Sequence, residues 1–153
     1  VWKQIEDAYP DRELVSPAPS SGHNAWLLDF RNAYIEKYNV PPRMDYLAAH
    51  CYSYKANDCE AIVAGMIDLA RQWDAKGVWV TEWMFYPCYG NDAVSEMKQF
   101  LTWLDGNEDV FRYAYFALRY SGQEAWGFGN CNAPLVDFTT GQLTQFGKIY
   151  AGN

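Results

Sequence analysis

Apolar positions along the chain follow two alternating rhythms. Over residues 25–38, Leu27, Phe30, Tyr34 and Tyr38 recur at spacings of three and four, which predicts a helix with Asn24 as its N-cap. The same spacing puts Ile62, Val63, Met66, Ile67, Ala70 and Trp73 on one face of a second helix, with Asp58 as its cap. A third carries Val94, Met97, Leu101 and Leu104, starts at Asn91 or Asp92, and is closed by Gly106. Between these helices lie short apolar runs at residues 13–17 and 44–49, a run opened by Gly77, and residues 110–118. Residues 1–9 read as the end of a helix stopped by Pro10, and residues 145–150 as a short final helix.

Strict alternation of strand and helix, at about 30 residues per unit, predicts right-handed βαβ crossovers and a parallel α/β sheet. No low-complexity linker divides the chain, so one domain is expected. Four βα units fit an open doubly wound sheet or part of a (β/α)8 TIM barrel. Both bind ligands at the C-terminal ends of their strands. Those ends carry Ser16-Pro17, His50-Cys51-Tyr52, Glu82-Trp83 and Tyr115-Phe116.

The segment GVWVTEWMF, residues 77–85, raises the sharpest chemical question. Glu82 ends an apolar strand beside aromatic residues, and a carboxylate is rarely put there without a partner or a task. One reading is a rim salt bridge to Arg112 or Arg119; the other is a reactive group. Composition narrows the choice. Aromatic residues make up 18% of the chain, with 12 tyrosines and 7 tryptophans, side chains that offer an apolar face and a polar edge to sugar rings. A net charge of −7 argues against nucleic-acid and anionic-membrane partners. No apolar run approaches a membrane span, and no motif calls for a metal or an organic cofactor.

Cys51, Cys59, Cys88 and Cys131 form no CxxC pair, and two histidines are too few for a zinc site of ordinary pattern. Disulfides and an oxidising compartment are the expectation. Of the three possible pairings, Cys51–Cys59 closes a short local loop and would leave Cys88–Cys131. The first residue is Val1, with no signal peptide at the start, so the chain reads as processed or as cut from something longer.

The stretches VSPAPS, MDYLAAHCYSY, GVWVTEW, VFRYAYFAL and PLVDFTTGQLTQFGKIY together resemble a glycoside hydrolase catalytic domain, namely glycoside hydrolase family 128, a group of β-1,3-glucanases. The resemblance implies a TIM barrel of which this chain supplies strands five to eight. It implies Glu82 as the nucleophile of a retaining endo-β-1,3-glucanase. It also implies that the acid/base glutamate lies in an N-terminal half of the barrel, or in another chain, since its asparagine-glutamate motif has no counterpart here. A polysaccharide such as β-glucan is then the ligand, and the setting is extracellular or the cell wall.

Around Glu82, we expect His50, Tyr52 and Tyr115 to supply hydrogen-bond donors. Trp83, Tyr86, Tyr89, Trp126 and Phe128 could stack on sugar rings or simply fill a loop core closed by Cys88 and Cys131. Glu124 is the one alternative acid in reach by sequence. Two competing readings remain: a glucan-binding or structural wall protein that kept the fold and lost the acid, and a half-barrel that dimerises to cover its open strand edges.

Overall fold

The computed structural model describes residues 1–20, 23–88, 92–120 and 131–152. The elements run α1 (Trp2–Ala8), α2 (His23–Tyr38), β1 (Leu47–Ser53), α3 (Ala56–Gln72), β2 (Val78–Phe85), α4 (Ala93–Asp105), β3 (Val110–Tyr115) and α5 (Gln145–Tyr150). The three strands form one parallel sheet in the order β1-β2-β3.

The predicted strand at 13–17 is a single parallel bridge, Val15 to Tyr46, and not a fourth strand. Tyr46 N–H donates to Leu14 O and Ser16 N–H to Tyr46 O. The next ladder position is then taken by a side chain: Ala48 N–H donates to Ser16 Oγ at 2.9 Å. Pro17 follows at once and has no N–H to continue the ladder. On the other side, β3 ends at Tyr115 and stops short of the expected 118.

Helix starts also differ in detail from the sequence reading. Asn24 lies within α2, and its side chain donates to Gly65 O on α3. Lys55 is the N-cap of α3, while Asp58 sits in the first turn and accepts from Ser53 Oγ at 2.6 Å. Carboxylates are favoured anywhere in a first turn, where the unpaired N–H groups point. Asp92 does cap α4, accepting from Ser95 N–H at 3.1 Å, and Gly106 closes it. At the entrance to β2, Gly77 has φ +152°, and a Cβ there would lie 2.5 Å from Asp109 O. Only glycine lets β2 start this close to β3.

The core lies between the sheet and its helices. Leu47, Ala49 and Cys51 of β1 and Val78, Val80, Trp83 and Phe85 of β2 pack with Leu27, Val63, Met66, Met97, Phe100 and Leu104 from the helices. The opposite face carries a different cluster at its N-terminal end, where Phe111 stacks on both Tyr46 and Trp79. Phe111 is 48% exposed. Two disulfides brace the C-terminal ends of the strands: Cys51–Cys59 ties β1 to α3, and Cys88–Cys131 joins the segment after β2 to the one that leads into α5.

Candidate active site

The site is built by an irregularity in β2. In the pairing with β1, Ala49 faces Val80, but the next partners are His50 and Glu82. Thr81 is therefore one extra residue on β2, a β-bulge. Side chains alternate strictly along a strand, so in a regular β2 Glu82 would share the helix-covered face of Val78 and Val80. The bulge reverses that. Beyond it, Trp83 and Phe85 enter the core and Glu82 turns to the open face, beside His50 and Tyr52.

There, Tyr52 donates its hydroxyl hydrogen to Glu82 Oε2. His50 Nδ1 stands 3.5 Å from the same oxygen. Among the described residues, no donor addresses Oε1. Burial, and then the hydrogen bond to Glu82, push the Tyr52 hydroxyl well above the ordinary tyrosine range, so it stays a donor at neutral pH. The Glu82 side chain is 36% exposed, open enough to meet a ligand. Phe116, which the sequence did not single out as a site residue, closes one side with its ring edge-on to Tyr52 at 5.9 Å between centroids.

Neither arginine pairs with Glu82. Arg112 lies over the rings of Phe111 and Trp79, and Arg119 lies over Phe138 and donates to its carbonyl. The rim salt bridge read as the plain alternative is absent from the described residues.

Two of the expected site residues lie elsewhere. Trp83 is 0% exposed, packed edge-on against Phe100 and Tyr115, and cannot stack on a sugar. Tyr115 faces the same way: its hydroxyl donates to Ala133 O at 2.7 Å, and burial raises its pKa. The bulge explains the first correction, because the residue after Glu82 must point opposite to it. The second follows from the pairing of Trp83 with Tyr115, since residues opposite one another on neighbouring strands share a face. Tyr86 does stand at the rim, with its ring 4.9 Å from that of Tyr54. Trp126, Tyr89, Phe128 and Glu124 lie outside the described residues.

Several other described carboxylates are engaged away from this point. Asp45 accepts from Leu14 N–H, Glu13 pairs with Lys76, Glu96 with Lys55, Asp109 with Arg71, and Asp105 accepts from Tyr113. Among the described residues no group of three histidine, cysteine or acidic side chains gathers to hold a metal, and no helix is long and apolar enough to cross a membrane.

Comparison with known proteins decides the family. The model of the glycosyl hydrolase catalytic core matches residues 1–150. The chain belongs to the glycosyl hydrolase catalytic core family. Solved structures similar to this glycosyl hydrolase core are β-1,3-glucanases of family 128, as the sequence motifs implied. One is a curdlan-specific exo-β-1,3-glucanase of subgroup III from Blastomyces gilchristii, in complex with glucose. It is 28% identical at a TM-score of 0.72, over 97% of this chain and 58% of that one. Another is a subgroup VI exo-β-1,3-glucanase from Aureobasidium namibiae, 22% identical at 0.71, over 97% and 60%. A third is a subgroup I endo-β-1,3-glucanase from Amycolatopsis mediterranei in complex with laminarihexaose, 17% identical at 0.68, over 99% and 64%. The glycosyl hydrolase core described here thus spans about three-fifths of the length of these neighbours. No curated protein sequence matches it.

Proposed function

We propose that this chain is the nucleophile-bearing part of a retaining β-1,3-glucanase with a (β/α)8 barrel, and that Glu82 is the nucleophile. The observation that carries the proposal is the convergence of Tyr52 and His50 on one oxygen of a strand-end carboxylate. Two groups address Oε2 and hold the carboxylate in a fixed rotation. Oε1 is then the atom that attacks the anomeric carbon. The Tyr52 hydroxyl donates to Oε2, and a retaining nucleophile attacks as a carboxylate.

A retaining mechanism needs a second carboxyl about 5–5.5 Å away to protonate the leaving oxygen and later to activate water. The described carboxylates engaged with other partners do not offer it. The rest of the barrel, on an N-terminal portion or another chain, supplies this acid in the proposal and covers the open face at Phe111 and Trp79. Support comes from the neighbours, whose chains are longer by a comparable share.

The substrate in this reading is a β-1,3-glucan, met outside the cell or in a wall. Its support is the kind of enzyme the neighbours are. Internal cleavage was the expectation from sequence; the neighbours include exo- and endo-acting enzymes, and the product pattern on laminarin distinguishes the two. The decisive variant is Glu82→Gln in the full-length protein. It should fold normally and lose orders of magnitude in kcat on laminarin; normal activity would overturn the assignment. Residues 1–153 alone should turn laminarin over poorly, and robust turnover would defeat the claim that the acid lies elsewhere.

A further inference from the structure

The pairing of β1 with β2 runs His50–Glu82, Cys51–Trp83, Tyr52–Met84 and Ser53–Phe85. It does not stop there. Tyr86 N–H donates to Ser53 O at 3.0 Å, so the ladder continues one step past the strands proper. The next residues in register are Tyr54 and Tyr86. By alternation they stand on the same face as His50–Glu82 and Tyr52–Met84, further out along the strands.

The two rings meet there, with centroids 4.9 Å apart and planes inclined at 49°. Tyr54 is 41% exposed, although it is a large aromatic residue at the end of a core strand. Tyr86 is more covered, and burial raises its pKa. The pair is held in place from below and beside. Cys51–Cys59 fixes the end of β1 three residues before Tyr54. Cys88, two residues after Tyr86, is tied to Cys131, and its sulfur lies 3.9 Å from the Tyr54 hydroxyl. A rigid aromatic pair with one accessible ring stacks on a pyranose at little entropic cost.

Four residues of strand separate Tyr86 from Glu82, roughly 13 Å at about 3.3 Å per residue. A sugar resting on Tyr54 is therefore not the one whose bond is broken. We propose that Tyr54, backed by Tyr86, is a distal sugar-binding platform that makes the enzyme prefer longer β-1,3-glucan chains. The proposal rests on the glucanase reading above and adds a residue and a length preference to it.

The test uses the full-length protein with Tyr54→Ala and Tyr54→Phe, assayed on a β-1,3-linked glucose trimer and hexamer. In Tyr54→Ala the KM for the hexamer should rise about threefold to tenfold, as loss of one stacked aromatic predicts. The trimer KM should hold, and Tyr54→Phe, which keeps the ring, should behave as wild type. Equal effects on trimer and hexamer, or no effect on either, would overturn the platform. Binding of both oligosaccharides to Glu82→Gln, measured by calorimetry, separates this from failure of the larger reading. If Glu82→Gln binds neither oligosaccharide and wild type cleaves neither, the glucanase assignment itself has failed.

Discussion

Tyr52 and Glu82 meet across two parallel strands because β2 carries one residue more than β1 between their pairing partners. Thr81 is that residue. It turns the carboxylate out of the core and under a phenolic hydroxyl that remains protonated. The predictions below follow from this contact and from the packing that holds it.

Replacing Tyr52 by Phe removes the donor and keeps the ring. A hydrogen bond to a charged group is worth about 1.5–3 kcal/mol. If Glu82 is the nucleophile of a glucanase as proposed, kcat of the full-length protein should fall roughly tenfold to a hundredfold, with little change in melting temperature. Steady-state kinetics on laminarin check this.

Substituting Thr81 and deleting it should both leave Glu82 on the open face. Its hydroxyl makes only a long contact of 3.4 Å with Ala49 O, so Thr81→Ala should be nearly silent. Deletion places Glu82 directly after Val80, so regular alternation alone keeps it off the face of Val78 and Val80 and in register with His50. The deletion should fold, with turnover reduced by loss of the twist that the bulge gives the strand, as read by circular dichroism and kinetics; failure to fold would contradict the assigned register.

Much of this architecture is visible in the sequence. The helical spacing over residues 62–73 and 94–104 marks the faces that pack on the sheet, and the apolar runs mark β1, β2 and β3. The bulge is not visible. The run Val78-Trp79-Val80 is apolar on both sides of the strand, so nothing in its pattern reveals that alternation breaks at Thr81. The sequence leaves Trp83 open as a sugar platform or as packing, and the break at Thr81 turns it into the core. Tyr115, expected as a donor to Glu82, turns into the core because it pairs with Trp83 across the strands. Ser16 is a quieter case. Residues 13–17 look like a strand, but a serine hydroxyl and a proline end the ladder after one bridge.

Trp83 should accordingly matter for stability. Truncating a fully buried tryptophan to Ala costs about 3–5 kcal/mol. Trp83→Phe should cost much less, because Nε1 is buried without a hydrogen-bond partner among the described residues. Denaturant unfolding monitored by circular dichroism separates the two.

Alkaline pH should weaken the fold. Burial raises the hydroxyl pKa of Tyr34, Tyr52, Tyr113 and Tyr115 above the ordinary value of 10.0. Above that value the unfolded chain releases these protons while the folded chain keeps them. The unfolded state then binds fewer protons, and stability falls as pH rises. The melting temperature should show no loss from these groups up to about pH 9 and decline beyond about pH 10. Tyr52→Phe should soften the decline.

The two disulfides should contribute unequally. Cys51–Cys59 spans 8 residues and Cys88–Cys131 spans 43. Loop-closure entropy assigns them about 2.5 and 4 kcal/mol. Paired Cys→Ser variants compared by denaturant midpoint should follow that order.

The most direct measurement is trapping of the nucleophile. The full-length enzyme would be treated with a β-1,3-linked oligosaccharide fluoride carrying fluorine at C2 of its reducing-end ring, which slows release of a covalent glycosyl intermediate, and then digested for mass spectrometry. The account predicts one glycosyl adduct on the peptide that contains Glu82, absent in Glu82→Gln. An adduct on another carboxylate, or inverted product with no adduct at all, would contradict it.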